Sequence, residues 1–187
     1  MENTVENQLK YAGFWRRFGA YWIDIAIFLP LSALVIYLEN QYRLFNLLWI
    51  IPGSVIGIVF HVYLVERFGG TPGKLAMKTR IAMVDGSAVT RKAAILRYSV
   101  LFSLSMLQGI GIVISTVYMS NEIYHSLGFV ERGQVLMEQA PFWTQPVGVL
   151  IQVWIWSEFI TMLFNKRRRA IHDYIAGTVV VRTGATV

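Results

Sequence analysis

Four long apolar runs alternate with polar segments along the chain. The runs are residues 18–38, 44–65, 98–120 and 145–164. The polar segments between and after them are residues 39–43, 66–97, 121–144 and 165–187. A transmembrane helix needs about 20 mostly apolar residues, and each run has roughly this length. The pattern therefore predicts an all-α membrane protein, a four-helix transmembrane bundle formed by a single domain over residues 1–187.

Two short segments have the composition of β-strands. Arg80–Val84 is followed by the turn pair Asp85-Gly86, and Thr178–Arg182, which contains the β-branched run Thr178–Val181, follows Gly177. A strand needs a partner for its backbone groups, and each segment is the other's best candidate. We therefore expect a small two-strand element that ties the tail to the middle polar segment.

The distribution of basic residues predicts the topology. Of the 17 Lys and Arg residues, three precede the first apolar run, seven lie in 66–97 and five follow the last run. One lies in each of the two remaining links. Because cytoplasmic loops carry the excess of Lys and Arg, both termini, segment 66–97 and tail 165–187 are predicted to be cytoplasmic, and link 121–144 external.

Composition supports the membrane assignment and excludes some chemistry. The chain is 55% hydrophobic and only 15% charged, whereas charged residues make up about a quarter of ordinary soluble domains. It has no cysteine, which excludes disulfides and thiol catalysis. The net charge of +6 follows the membrane topology, and we expect no nucleic-acid partner.

Three polar residues interrupt the apolar runs. Asp24 lies inside the first run, where a charged side chain costs about 2.5–3.5 kcal/mol on insertion scales. With a rise of about 1.5 Å per residue, Asp24, His61 and Glu158 lie about 6–9 Å from the cytoplasmic ends of their helices. This shared depth predicts an intramembrane polar cluster. The alternative is that each side chain separately bonds a backbone carbonyl or extends to the interface.

Other features concern packing and lipid. Gly53 and Gly57 form a GxxxG pattern, which indicates either close helix packing within the chain or a homo-oligomer contact. Four consecutive cations after the last run predict contact with anionic lipid. They are Lys166, Arg167, Arg168 and Arg169.

The segment Gly69–Lys74, GGTPGK, is not a nucleotide-binding loop. That motif requires four residues between its glycines and Ser or Thr after the lysine, whereas Leu75 follows Lys74 here. A turn that starts a helix near Pro72 is the better interpretation. Familiar hydrolase motifs are also missing, so we expect no catalytic residues, no cofactor and no metal.

Three blocks of sequence, GFWRRFGAYWID, GGTPGKLAMKTRIAMVDG and RRRAIHDYIAGTVVV, resemble the RDD family of bacterial membrane proteins. The resemblance runs from about Tyr11 to Arg182. It implies that the signature residues are Arg17, Asp24 and Asp173, with Arg16 as the alternative for the arginine. It also implies a bacterial inner membrane location and transport of undefined ligands.

The sequence leaves three functions open. The first is transport or exchange of an ion or small ligand by a protonatable Asp24, since protonating an aspartate at pH 7 costs about 4 kcal/mol, close to the insertion cost. The second is a non-catalytic assembly, scaffold or lipid-interacting protein, in which Arg17, Asp24 and Asp173 form a structural polar lock. The third is an enzyme acting on lipid. The lock requires Arg17 to contact Asp173; otherwise Arg17 is expected to bind lipid phosphate.

Overall fold

The structure, a computed structural model, describes residues 9–183, so the ends of the predicted cytoplasmic termini, residues 1–8 and 184–187, lie outside it. It is mostly helical with one small sheet. In chain order the elements are α1 Phe14–Gln41, α2 Phe45–Ile58, a π-helix Val59–Tyr63, α3 Leu64–Phe68, α4 Pro72–Ala76, β1 Thr79–Met83, α5 Arg91–Tyr118, α6 Asn121–Ser126, α7 Phe129–Gln139, α8 Thr144–Thr161, α9 Ile171–Ala176 and β2 Thr178–Arg182.

Three helical stretches among the described residues are long and apolar enough to cross a membrane. They are Phe14–Gln41, Phe45–Ala76 and Arg91–Tyr118. The first predicted span, 18–38, lies within the first stretch, whereas the second begins one residue before its stretch and the third ends two residues after its stretch. The fourth predicted span is the helix α8, which has 18 residues and includes Gln152 and Glu158. The helix α8 is not among those long and apolar enough to cross a membrane, so the count of four spans stays a prediction.

The helix α5 begins at Arg91, seven residues before the predicted span at 98–120. Its start is set by Thr90, whose Oγ1 accepts a hydrogen bond from the Ala93 amide at 3.2 Å. The predicted polar segment 66–97 therefore ends in helix. Arg97, the last residue of that predicted segment, therefore lies within the helix α5.

The two predicted strands pair. β1 and β2 are antiparallel, with Thr79 opposite Arg182 and Met83 opposite Thr178. The predicted strand Arg80–Val84 is thus correct to within one residue, and Thr178–Arg182 is correct as predicted. The side of the membrane on which the sheet lies stays a prediction.

Residues 10–12 lie along the other edge of β2. The Ala12 amide donates to the Val180 carbonyl and the Arg182 amide donates to the Lys10 carbonyl, each at 2.8 Å. β2 therefore lies between β1 and the segment that precedes α1. This position buries Val179, Val180 and Val181 almost completely, so the tail is held centrally by sheet hydrogen bonds on both sides.

The chain divides into two compact units. The first comprises Met1–Ile27, Ile56–Val100 and Trp154–Val187, and it contains the sheet. Its core cluster joins residues of the N-terminal segment, α3, β1, α5, α9 and β2. The buried members are Ala12, Val65, Ile81, Val89, Ala93, Ala94, Ala176 and Val180.

The second unit comprises Phe28–Val55 and Leu101–Val153. It includes the link 121–144, whose secondary structure was not predicted from the sequence. Two arginines organise it. Arg43 donates to the carbonyls of Thr116 and Met119 at 2.6 and 2.8 Å, which satisfies carbonyl groups at the end of α5. The buried Arg132 bonds the Asn40 side chain and lies 4.4 Å from the centre of the Tyr124 ring.

Candidate functional site

Asp173 lies at the start of α9 and is completely buried. One carboxylate oxygen, Oδ2, accepts a hydrogen bond from the Ala170 amide at 2.9 Å, as an acidic residue in the first helical turn commonly does. The other, Oδ1, accepts from the Thr178 hydroxyl at 3.0 Å. These two bonds fix the carboxylate at the junction of α9 and β2.

Two arginines from different helices meet this carboxylate. Arg17 of α1 donates to Asp173 Oδ2 at 3.1 Å, and Arg97 of α5 donates to Oδ1. Each arginine side chain is only 8% exposed. The predicted contact between Arg17 and Asp173 is therefore present. The contact between Arg97 and Asp173 was not predicted from the sequence. The carboxylate joins α1, α5 and the tail.

The surroundings of Asp173 keep it ionised. Burial by itself would raise the pKa of Asp173, because desolvation penalises the charged form. The guanidinium groups of Arg97 and Arg17 and the Ala170 amide oppose burial, and they hold the pKa of Asp173 well below its ordinary value. At neutral pH this residue is a fixed negative charge.

The contacts also distinguish the two adjacent arginines at the start of α1. Arg16 donates to the carbonyl of Met77 at 2.9 Å. Arg17 reaches Asp173 and, through its other terminal nitrogen, the carbonyl of Arg168 at 2.5 Å. Arg17 is therefore the arginine that pairs with the tail aspartate.

His172 connects this arrangement to Glu158. Its Nδ1 lies 2.9 Å from Glu158 Oε1, and its Nε2 lies 2.6 Å from a terminal nitrogen of Arg97. Because a guanidinium can only donate hydrogen bonds, Nε2 must accept, and the ring proton is assigned to Nδ1, which donates to Glu158. The Glu158 side chain is 36% exposed, whereas Asp173 is fully buried.

Asp24 accepts hydrogen bonds from two groups that were not predicted from the sequence. Its Oδ2 accepts from the Thr71 hydroxyl at 2.6 Å, and its Oδ1 accepts from the Gly73 amide at 2.7 Å. No hydrogen bond or ion pair in residues 9–183 joins Asp24 to Arg17 or His61. Both oxygens are used by the turn that starts α4, where Pro72 occupies the first turn, as the sequence predicted.

Gly73 allows the close approach between this turn and α1. A Cβ at Gly73 would meet the Ala20 carbonyl oxygen and the Asp24 carboxylate, so no larger residue fits without backbone movement. Lys74 follows on α4 and interacts electrostatically with Glu158 and Asp24. No role for Thr71 or Lys74 could be predicted from the sequence, although the density of glycine around them was an available signal.

The predicted cluster of Asp24, His61 and Glu158 is not a directly bonded group. No hydrogen bond or ion pair joins any two of the three in residues 9–183. His61 lies in the π-helix, a feature frequent at functional sites, and its ring stacks on Tyr98 with centroids 4.6 Å apart. Electrostatic interactions link His61 to Lys74 and Glu158. Lys74 thus lies within electrostatic range of all three residues.

The GxxxG pattern has a partner within the chain. A Cβ at Gly57 would meet the hydroxyl of Tyr98 on α5, so this glycine permits close contact between the two helices. At Gly53 the neighbour would be Trp49 of the same helix. A homo-oligomer contact through these glycines stays a prediction.

The cations that follow α8, residues 166–169, differ in their exposure to solvent. Arg169 donates to the carbonyl of Asp173 at 2.7 Å and to that of Thr178 at 3.1 Å, and it lies 4.2 Å from the centre of the Tyr174 ring. Its guanidinium is therefore directed into the protein. Lys166 and Arg168 are exposed.

Comparison with known proteins supplies the family. Within residues 9–183 there is no group of three His, Asp or Glu side chains placed to hold a metal ion. No curated protein and no solved structure matches the chain. The RDD family matches residues 11–177, which include Arg17, Asp24 and Asp173. This match covers most of the chain. The three long apolar helices of the chain agree with a membrane protein. The chain therefore belongs to the RDD family.

Proposed function

We propose that this RDD family protein exchanges protons for another cation or a small ligand across the membrane, without catalysing a covalent reaction. The observation that carries the proposal is the pair formed by Glu158 and His172. It combines a partly exposed carboxylate with a histidine, and the residue that follows this histidine, Asp173, is a buried carboxylate that is held ionised. Chains of acidic and histidine residues form the proton relays of pumps and transporters.

Protonation of Glu158 would be transmitted through His172. While Glu158 is ionised, its carboxylate accepts a hydrogen bond from the Nδ1–H of His172, and this bond directs Nε2 of His172 toward Arg97. A proton on Glu158 weakens that bond and frees the ring to turn. Arg97 also bonds Asp173, so the change reaches the contact between α5 and the tail. This linkage supports coupling between protonation and conformation.

Asp24 has a positional role in this proposal. The sequence favoured it as the protonatable residue, but each of its oxygens accepts a hydrogen bond from the turn at 71–73. A proton on either oxygen would compete with one of these bonds. Asp24 also helps to place Lys74, whose charge lies near Glu158. We therefore assign proton transfer to Glu158.

Flux in liposomes that contain only this protein tests the proposal. Proton movement is followed with an internal pH-sensitive dye after Na⁺, K⁺ or Li⁺ is added outside. Glu158→Gln, which keeps the side-chain shape and removes the titrating group, is expected to lower flux at least about tenfold. The control Glu131→Gln removes an exposed glutamate from α7 and should leave flux unchanged.

Each result decides a different part of the proposal. No cation-dependent proton movement with the wild-type protein would reject cation exchange. Wild-type flux in Glu158→Gln would reject the role of Glu158. Gel filtration in detergent establishes that the variant is folded, so that loss of flux reflects chemistry.

The exchange role includes a topology. We propose four spans in a bacterial inner membrane, with both termini and the sheet in the cytoplasm, supported by the distribution of Lys and Arg. Reporter fusions at Asp85 and Arg132 should report opposite sides of the membrane. Fusions reporting the same side would overturn this topology.

A second candidate function is a membrane scaffold in which the polar network is purely structural. The observation that favours it is Asp173, which receives hydrogen bonds from two arginines, one amide and one hydroxyl while fully buried. Buried polar groups can specify one arrangement of a fold. Wild-type protein that is stable and shows no flux for any tested cation would favour this candidate.

A further inference from the structure

A cavity of about 750 Å³ lies in the first unit, between the start of α1 and the segment after α8. Its lining includes four cationic side chains, Arg16, Lys166, Arg168 and Arg182. None of the described residues that line it is acidic. The volume falls within the range of sites for small molecules and cofactors. The cavity thus has the size and the charge for an anionic ligand.

The first turn of α1 adds to this positive potential. Gly13, Phe14 and Trp15 line the cavity, and they lie at the N-terminal end of a helix of 28 residues. Amide groups at this position have no partner within the helix, and the helix dipole is positive there. The positive end of a helix and four cationic side chains therefore border the same cavity, an arrangement that favours a phosphate group.

Arg168 has an unusual backbone conformation that places it in the cavity. Its φ angle is +50°, a value uncommon for residues other than glycine. The carbonyl of Arg168 accepts a hydrogen bond from Arg17, which stabilises this conformation. Its guanidinium lies against Gly13, where a Cβ atom would clash with it. Such conformations cluster at ligand sites, where the surrounding structure maintains them.

Apolar side chains also line the cavity. Trp15 is 76% exposed and Phe164 is 84% exposed, and both line the cavity. Exposed aromatic residues beside cations are typical of the boundary between lipid headgroups and acyl chains. We propose that this cavity binds one anionic phospholipid, with the phosphate ester between Lys166, Arg168 and Arg182 and the acyl chains along Trp15 and Phe164. The proposal does not depend on proton exchange.

Binding of short-chain lipids to the full chain in detergent tests the site. The probes are dioctanoyl phosphatidylglycerol, dioctanoyl phosphatidylcholine and inorganic phosphate, with bound lipid counted by native mass spectrometry. We expect one phosphatidylglycerol bound at least about tenfold more tightly than phosphatidylcholine. Millimolar inorganic phosphate should not displace it, because phosphate lacks the acyl chains.

Two matched substitutions locate the binding. Arg168→Gly removes the guanidinium while glycine readily keeps the positive φ angle. Lys78→Gly is the control, because Lys78 is also an exposed cation with positive φ, at +53°, and does not line the cavity. Arg168→Gly should weaken phosphatidylglycerol binding at least about tenfold, whereas Lys78→Gly should change it less than about twofold.

A second pair keeps the test decisive if Arg168→Gly lowers stability. Lys166→Gln with Arg182→Gln removes two cavity charges, and Lys92→Gln with Arg80→Gln removes two exposed charges elsewhere in the first unit. Only the first pair should weaken binding. Equal weakening by both pairs, equal binding of the two lipids, or displacement by inorganic phosphate would each overturn the proposal.

Discussion

Truncation of the residues around Asp173 tests how strongly the buried carboxylate stabilises the protein. In Arg17→Ala, the Asp173 carboxylate still accepts hydrogen bonds from Arg97, Thr178 and the Ala170 amide. One charge-assisted hydrogen bond is lost, which lowers the free energy of unfolding by about 1.5–3 kcal/mol. In Asp173→Ala, two buried guanidinium groups lose their counter-charge together. Removing one partner of a buried pair costs about 3–5 kcal/mol. We therefore expect Asp173→Ala to lower the free energy of unfolding more than Arg17→Ala.

The double variant measures the coupling between the two residues. Once Asp173 is absent, Arg17 is a buried cation without a carboxylate partner, so its removal costs little further stability. The loss in Arg17→Ala with Asp173→Ala should fall short of the sum of the single losses by about 1.5–3 kcal/mol. Losses that add to within about 0.5 kcal/mol would refute a direct interaction.

The assay is unfolding in mild detergent by titration with sodium dodecyl sulfate, followed by tryptophan fluorescence. Arg91→Ala is the control, because Arg91 pairs with Glu66 at 2.9 Å but its side chain is 74% exposed. Exposed pairs contribute little to stability, so the midpoint should not change. A loss in Arg91→Ala equal to that in Arg17→Ala would show that burial of the pair is not the cause.

Two further predictions use the same assay. Because folding lowers the pKa of Asp173, its ionised form stabilises the fold at any pH above the pKa of an aspartate in the unfolded chain, about 3.9. This stabilisation is lost progressively as the pH falls below that pKa. The difference in stability between wild type and Asp173→Asn should therefore be constant above about pH 5 and shrink below about pH 4; a difference that changes between pH 6 and 8 would contradict this. Gly73→Ala should cost about 1–3 kcal/mol, because the new Cβ meets the Ala20 carbonyl. Gly109→Ala, with no atom within 4 Å of the new Cβ, should be neutral or stabilising.

The parts of the fold that depend on side-chain pattern could be predicted from the sequence. The apolar runs located the helices, and the β-branched run Thr178–Val181 needed a strand partner that only one other segment offered. The contact between Arg17 and Asp173 followed from that pairing. Its prediction succeeded because two opposite charges in apolar surroundings are costly to leave apart.

The parts that depend on backbone donors and helix ends could not be predicted. Asp24 bonds the Gly73 amide, and an amide is present at almost every position of any sequence. Arg97 was missed because the cap at Thr90 extends α5 into a segment that looked polar. Lys74 was missed for a related reason, since its place near Glu158 depends on the turn at 71–73 and on helix positions far apart in sequence.

The central position of β2 has a consequence for the order of events during synthesis. Residues 10–12 and β1 both leave the ribosome before β2, yet each of them bonds β2 in the sheet. Until residues 173–182 emerge, Arg17 and Arg97 have no carboxylate at their final position. Until then the growing chain has an open sheet edge and two arginines without their carboxylate partner. Closure of the sheet by β2 removes both features in a single late step.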